Sequence, residues 1–453
     1  MAAIPTVSRV RCFSDSAAMA RNPAQILSKY HAEFGDTFRF YIGGLKEAIV
    51  TIDPAVVQHV LKTNSDNYHK SEIQVKRMGH FLGKGLLTTE GEEWKNQRRL
   101  IQKGFSPKQL DALSAIMQDS LADSLRDFNG RINDGPVDIY PHMMRITFSM
   151  VARSLFGARL KEEDIDLVSD TICTVQEFIV KQTLQPYLNP WFGVSGELKK
   201  HEDMRARADA VLMTYIKKRR NEAPGMDLLQ TLMDARYADG EGMTDEMVLS
   251  ESMQLLVAGH ETSSNSLSWL LYLLSSRPDI LQKLRDEFET VLGDRPVSHG
   301  DVPSLLFAQQ VVQESLRLYP PFWMIDRMAV ADDHVGDVEI PAGSMVIVYV
   351  YGAHHAPKHW PNPDVFDTER FVKGAEKLRA PFTYFPFGGG PRGCIGLHYA
   401  MLQVLMILND VVRKYDFELA PGQIIEARPV VILRPKHGIK MTFTQSVPAT
   451  TYA

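Results

Sequence analysis

The stretch Phe387-Gly388-Gly389-Gly390-Pro391-Arg392-Gly393-Cys394-Ile395-Gly396 decides how this chain is read. Four glycines and a proline precede one cysteine. Glycine adopts backbone angles closed to other residues and lets a backbone approach a bulky ligand. Residues 397–412 (LHYAMLQVLMILNDVV) follow directly, long and apolar enough for a buried helix. Cys394 therefore precedes a helix N-terminus, where unpaired N–H groups and the positive dipole end favour a thiolate. Arg392 adds a cation two residues before it. Such a thiolate is a soft metal ligand; a structural cysteine beside a Gly-rich turn is the alternative.

The rest of the composition limits what surrounds this stretch. The 453 residues can bury a large core, and length alone would suggest about three domains. A net charge of −5 is small for this size and gives no argument for nucleic acid. Three cysteines (Cys12, Cys173, Cys394) without paired spacing speak against a disulfide framework and for a reducing compartment. Residues 1–23 hold no apolar run of signal-peptide or membrane-span length, so a cytoplasmic protein without a transmembrane anchor is expected.

Residues 36–53 (DTFRFYIGGLKEAIVTID) form two β-type runs around Gly43-Gly44, a hairpin pattern. Pro54 opens a short helix, and Gly83–Thr88 is a loop ending in apolar residues. Residues 91–102 form a helix that sets Trp94 and Arg98 on one face. Across 91–108, Lys95, Arg98, Arg99, Lys103 and Lys108 outnumber Glu92 and Glu93. This is either an ordinary solvated helix face or a docking patch for an acidic electron carrier. Lys217–Arg220 before Pro224-Gly225 fits a helix C-terminus complementing its dipole.

Residues 244–276 make a second large signal: a helix capped by Thr244, with Asp245 and Glu246 in its first turn and Arg277-Pro278 at its end. Its centre, Ala258-Gly259-His260-Glu261-Thr262-Ser263-Ser264, puts a glycine, a carboxylate and hydroxyls into an otherwise apolar helix, leaving a polar notch. Residues 305–318 form another helix with Glu314 and Arg317 three apart, before Tyr319-Pro320-Pro321. Phe366-Asp367-Thr368-Glu369-Arg370-Phe371 lies some fifty residues on. Residues 338–351 read as a hairpin and a buried strand. His354, His355 and His359 follow it without a carboxylate or thiol to complete a metal site.

Taken together, F-x-x-G-x-R-x-C-x-G, A-G-x-E-T, E-x-x-R and W-x-x-x-R in this order resemble the cytochrome P-450 superfamily over most of the chain. The resemblance implies a mainly α fold, a large helical lobe with a smaller β-rich lobe (mainly 36–53 and 327–350) and haem b between them. Residues 1–453 would form one haem domain without a fused reductase. Cys394 would be the axial ligand of haem iron. Phe387, Gly396 and Ala258 would contact the haem, and Trp94, Arg98 and Arg392 would serve it and its propionates. Glu261, partly exposed at the notch, and Thr262 would manage protons for bound O2. Glu314, Arg317 and Arg370 would form a buried structural cluster, although Thr368 stands where proline is usual. Leu87, Ala258, Phe322, Trp323, Met324, Val431 and Ile432 would line an apolar substrate pocket.

The implied activity is that of a monooxygenase inserting one oxygen atom of O2 into a C–H bond of a lipophilic substrate. Electrons would come from NAD(P)H through a separate ferredoxin or flavodoxin and its reductase, and the protein would act as a monomer. Fatty-acid hydroxylation is the expected activity, with a terpenoid or steroid as the alternative substrate. A peroxide-using or peroxide-rearranging haem enzyme and a non-catalytic haem sensor are the rival classes. The intact Glu261-Thr262 pair speaks against the peroxide reading.

Overall fold

The computed structural model describes residues 4–132, 135–157 and 160–446. One helix, Asp245–Ser275, runs through the interior for 31 residues. The Thr244 side chain caps it by accepting the Met247 N–H at 3.3 Å, and Asp245 and Glu246 load its positive end. Around it pack the helices Pro107–Arg131, Ile139–Phe156, Glu162–Leu184, Glu197–Arg220, Leu306–Leu318 and Leu397–Lys414. The Ile139–Phe156 helix comes closest because Gly259 has no side chain: a Cβ there would sit 3.1 Å from Val151. Thr147 Oγ1 donates to the His260 carbonyl at 3.0 Å and pins the two helices together.

A smaller lobe is built on a five-stranded sheet in the order Thr37–Ile42, Lys46–Thr51, Met345–Val348, Ile325–Ala329, Tyr68–His69. The first two strands are the expected hairpin, turning at Gly43 and Gly44 with φ of 60° and 78°. Met345–Val348, buried on both faces, reads as an unbroken apolar run because it lies in mid-sheet. Strands also occur outside the expected β-rich portion. Lys440–Gln445 pairs with both Tyr415–Leu419 and Val137–Asp138, and Ala427–Pro429 pairs with Leu433–Pro435. The strands of the latter hairpin are three residues each, too short for alternation to register.

One charged cluster differs from its reading as a plain helix end. Of Lys217–Arg220, Arg219 is buried and donates to both oxygens of Asp227 at 2.7 and 2.6 Å. This bidentate pair ties the helix end to the next short helix, Leu228–Asp234, whose N-cap is Asp227 itself.

Candidate functional site

The glycine loop folds back on itself before the Leu397–Lys414 helix begins. Phe387 O accepts the Cys394 N–H at 2.9 Å, and Gly388 N–H donates to Phe385 O at 2.9 Å. Gly390 has φ of 65° and packs so closely that a Cβ would run into the Leu61 carbonyl. Glycine is required there on both counts. The Cys394 thiol accepts the Gly396 N–H, and Arg98 is the cation near it. Arg392, expected to be that cation, turns away: its fork grips both oxygens of Glu90 at 2.8 and 2.6 Å. Burial nonetheless pushes the Cys394 thiol pKa up, against the smaller effects of Gly396 and Arg98. Cys394 still carries exposed surface, so it faces open space.

The central helix opens a matching face. Most of its residues from Val248 to Leu274 are buried, yet Ala258 is exposed, and Leu255, Gly259 and Thr262 are partly so. These positions share one side of a helix of 3.6 residues per turn. The Thr262 hydroxyl donates to the Ala258 carbonyl at 2.9 Å, and Ser266 and Ser268 repeat the pattern at 2.8 Å each. Repeated back-bonding of this kind loosens and bends helices.

Glu261 is not partly exposed as expected. It is 2% exposed and forms an ion pair with Arg434 of the 427–435 hairpin. The sequence offered no signal for Arg434, because its partner lies 173 positions away in a different element. Two further residues at helical spacing hold the same hairpin: Asn265 and Trp269 both donate to the Leu433 carbonyl, at 2.6 and 2.9 Å.

A cationic cluster lies beside the glycine loop. The Arg98 and Arg392 guanidiniums stand 5.9 and 4.5 Å from the Trp94 ring centroid, with the Lys70 ammonium at 6.0 Å. Lys70 donates to Leu86 O and Thr89 O at 2.7 and 2.8 Å, and burial pushes its pKa down to about 7. Arg327 is buried too; burial and then the charge of Arg392 push its pKa down to about 10. Sequence reasoning missed Lys70 and Arg327, which sit among strand residues and follow no motif. Glu90 is held below the usual carboxylate range by the Arg392 fork although burial opposes this. Lys70, Arg327 and Arg392 around Glu90, with Arg98 at the Trp94 ring, form a cation-rich site chemically suited to the two carboxylates of a haem.

Of the expected pocket residues, Ala258, Leu87, Met324, Phe322 and Val431 keep accessible surface, the last two at 46% and 40%. Trp323 and Ile432 do not line the pocket: they are 3% and 2% exposed. Trp323 turns into the core of the β lobe, where its ring meets Tyr349 edge-on and its N–H donates to Val430 O at 2.9 Å. The loop carrying Leu87 is fastened to the central helix: Leu86 N–H donates to Glu251 at 3.1 Å, and Leu87 N–H to Gln254 at 2.7 Å.

Glu314, Arg317 and Arg370 come together. Arg317 donates to both Glu314 oxygens at 2.7 and 2.8 Å, and Arg370 lies 3.4 Å from the same carboxylate. Arg317 also donates to the carbonyls of His354 and Pro363, at 2.9 and 2.7 Å. His354 accepts the Phe385 N–H at 3.0 Å on Nε2, which bonds the histidine stretch to the segment entering the glycine loop. Among the described residues no group of histidines, cysteines and carboxylates could hold a metal ion by itself.

The profile of the family described as Cytochrome P450 matches residues 12–443. The chain belongs to that family. It is 30% identical over 413 residues to a cyclooctat-9-en-7-ol 5-monooxygenase of Streptomyces melanosporofaciens, covering 89% of this chain and 87% of that one. It is 27% identical to a pentalenene oxygenase of Streptomyces avermitilis, with 92% of each chain covered. Its backbone matches that of a cyanobacterial CYP120A1 bound to retinoic acid with a TM-score of 0.82, at 26% identity over 95% and 96% of the two chains. This P450 is thus an oxygen-incorporating oxidoreductase with the fold of that family, and its family works with haem, O2 and electrons from a redox partner. Among the described residues no helix is long and apolar enough to cross a membrane.

Proposed function

We propose that this P450 hydroxylates a terpenoid, with electrons from NAD(P)H arriving through a small acidic carrier protein. The observation that carries the reading is the accessible apolar stretch of the central helix, Leu255, Ala258 and Gly259, beside Thr262 in an otherwise buried helix. Haem, when bound, supplies the activation of O2 and the oxidation of the C–H bond.

The chain's own residues bind, orient and handle protons. Cys394 would ligate haem iron through its sulfur, while Trp94, Arg98, Arg392, Arg327 and Lys70 would take the propionates. Phe387 and Gly396 would shape the loop towards the haem, and the small Ala258 would leave room for it. Leu87, Phe322, Met324 and Val431 present apolar surface to the substrate and exclude water. Thr262, whose hydroxyl now donates to Ala258 O, would turn that hydroxyl towards the accessible face, and Glu261 would hold and pass protons beside it. The carrier docks on the face of Lys95, Arg99 and Lys103, which lies next to Pro391 of the glycine loop.

The relatives move the choice of substrate. Cyclooctat-9-en-7-ol, pentalenene and retinoic acid, in the names of the similar proteins, are terpenoids. The expected fatty acid gains no support from them. The test is reconstitution with a surrogate ferredoxin and its reductase, offering retinoic acid, pentalenene and lauric acid separately. Oxygenated terpenoid product, formed in step with NAD(P)H consumption, is expected. Turnover of lauric acid alone would return the reading to a fatty-acid hydroxylase. The reduced, CO-bound protein should show the red-shifted Soret band of thiolate ligation, absent in Cys394→His; a globin-like wild-type band removes Cys394 as ligand.

A further inference from the structure

Residues 83–90 form no helix or strand, yet their backbone lies directly on the central helix. A Cβ at Gly85 would sit 2.6 Å from the Gln254 amide nitrogen, and one at Gly83 would run into the Ser250 hydroxyl. Gly83 also has φ of 75°, so glycine suits that position twice over.

One side chain makes most of the join. Gln254 is 2% exposed, and both ends of its carboxamide are bonded to the loop. Its Oε1 accepts the Leu87 N–H at 2.7 Å. Its Nε2 donates to Gly83 O at 3.1 Å and to the Thr88 hydroxyl at 3.2 Å. Only this orientation of the amide satisfies both ends, because Leu87 offers a donor and Gly83 an acceptor. Thr88 Oγ1 donates in turn to Gly83 O at 2.7 Å and accepts the Gly85 N–H at 3.1 Å, so the loop closes around the carboxamide. Glu251 takes the Leu86 N–H, and Lys70 holds the Leu86 and Thr89 carbonyls.

The place of this hook links it to the pocket. Gln254 stands one helical turn before Ala258 and two before Thr262. The accessible face of the helix begins at Leu255, the next residue. Leu86 packs on the main core, whereas Leu87 keeps accessible surface. Gln254 thus bonds the backbone of the loop residue that presents apolar surface beside that face.

We propose that Gln254 is a positioning residue that fixes Leu87 beside the accessible face of the central helix and so sets how bulky a molecule the pocket admits. Being buried, it acts through the Leu87 backbone and not by touching the ligand. In an apolar pocket a displacement the size of one methylene is enough to change discrimination by about tenfold or more. The inference rests on Leu87 lining the pocket and on no particular substrate.

The experiment titrates the haem-loaded protein with imidazole and with its bulky N-adamantyl derivative, both read by the Soret shift on iron ligation. Wild type, Gln254→Met, Leu87→Ala and the double variant are compared. Methionine matches the reach of glutamine but supplies no N–H and only a weak acceptor. Gln254→Met should leave imidazole binding nearly unchanged while shifting the affinity ratio of the two ligands towards the bulky one by roughly tenfold. Leu87→Ala should shift the ratio the same way. Added to Leu87→Ala, Gln254→Met should shift it little further, because the side chain it positions is gone. Amide hydrogen exchange over residues 83–89 should speed up roughly tenfold in Gln254→Met.

A ratio unmoved by Gln254→Met overturns the proposal and leaves the pocket reading standing. An equal shift on both backgrounds overturns it too, since Gln254 would then act on the pocket without Leu87. If Leu87→Ala leaves the ratio unmoved, the reading of Leu87 as a pocket residue fails, and this inference with it. Should Gln254→Met fail to fold, exchange in the wild type still decides. The Leu86 and Leu87 amides should exchange slowly although they lie outside any helix or strand; free exchange there would mean that no hook holds them.

Discussion

Two buried glutamates in this molecule pair with arginines, Glu314 with Arg317 three residues on along its own helix and Glu261 with Arg434 of a distant hairpin, and the two pairs do different work. Glu314 is fully buried, and each of its oxygens receives an Arg317 N–H. The Asp367 N–H adds a third bond at 3.0 Å, and Arg370 stands at 3.4 Å. Arg317 spends its remaining donors on backbone carbonyls. Glu261 meets one guanidinium, that of Arg434, which also lies 3.8 Å from a second carboxylate, the exposed Glu177. A fully satisfied buried network rigidifies one geometry. The first pair braces the approach to the glycine loop. The second, with Asn265 and Trp269, ties the central helix to the 427–435 hairpin.

The largest break in this contrast should come from Glu314→Gln. Two guanidiniums would be left facing a neutral amide, at a cost of roughly 3–5 kcal/mol. Urea unfolding should show this together with poor haem retention. A loss below about 1 kcal/mol would mean that the cluster is not the brace described.

A third buried carboxylate, Glu251, sharpens the comparison through pH. Burial lifts its pKa from 4.5 to about 7, and it has no arginine partner. Folded, it holds its proton where the unfolded chain has lost it. Its contribution is therefore complete below pH 4.5 and is lost as pH rises to about 7. The total is about 3 kcal/mol. Glu251→Gln should remove that fall, gaining on wild type between pH 5 and pH 7 in unfolding titrations. Lys70 tilts the other way at higher pH: its pKa is lowered to about 7, so its contribution is full only above pH 10.5 and drops as pH falls towards 7. The comparison should therefore stop at pH 7. Parallel curves for the two proteins would show that Glu251 is already ionised.

Thr262→Ala tests the accessible face of the central helix. It should leave folding, the CO spectrum and substrate affinity unchanged while lowering product per NAD(P)H and raising hydrogen peroxide. Equal coupling in the variant and wild type would reduce Thr262 to a helix residue bonded to Ala258.

The smallest effect belongs to charges that are not buried at all. Arg99→Glu with Lys103→Glu should slow reduction by an acidic carrier at low salt, and the difference should fade as salt shortens the Debye length. Substrate-binding spectra should not change. Equal reduction rates at low salt would leave this face without a docking role.

Much of the framework is local and so was legible. The glycine loop, the Thr244 cap, the Gly43-Gly44 hairpin and the Glu314–Arg317 spacing each depend on residues a few positions apart, where backbone sterics and hydrogen bonding act directly. What was missed depends on pairs far apart in sequence. Arg392 was placed as the cation beside Cys394 by its nearness in sequence, but Glu90 claims it, and Arg98 from another helix takes that place. Trp323 looked like a pocket residue because its neighbours are, yet alternate side chains of an extended segment point opposite ways.

By itself the sequence determined the elements, the family and the kind of chemistry, because these rest on short-range patterns that survive any packing. Only the tertiary structure decided the electrostatics. Burial raises the Cys394 thiol and lowers Lys70, and the Arg434 of a three-residue strand determines where Glu261 is held. A charge's energy depends on what surrounds it in space, and that is set only when distant segments close around it.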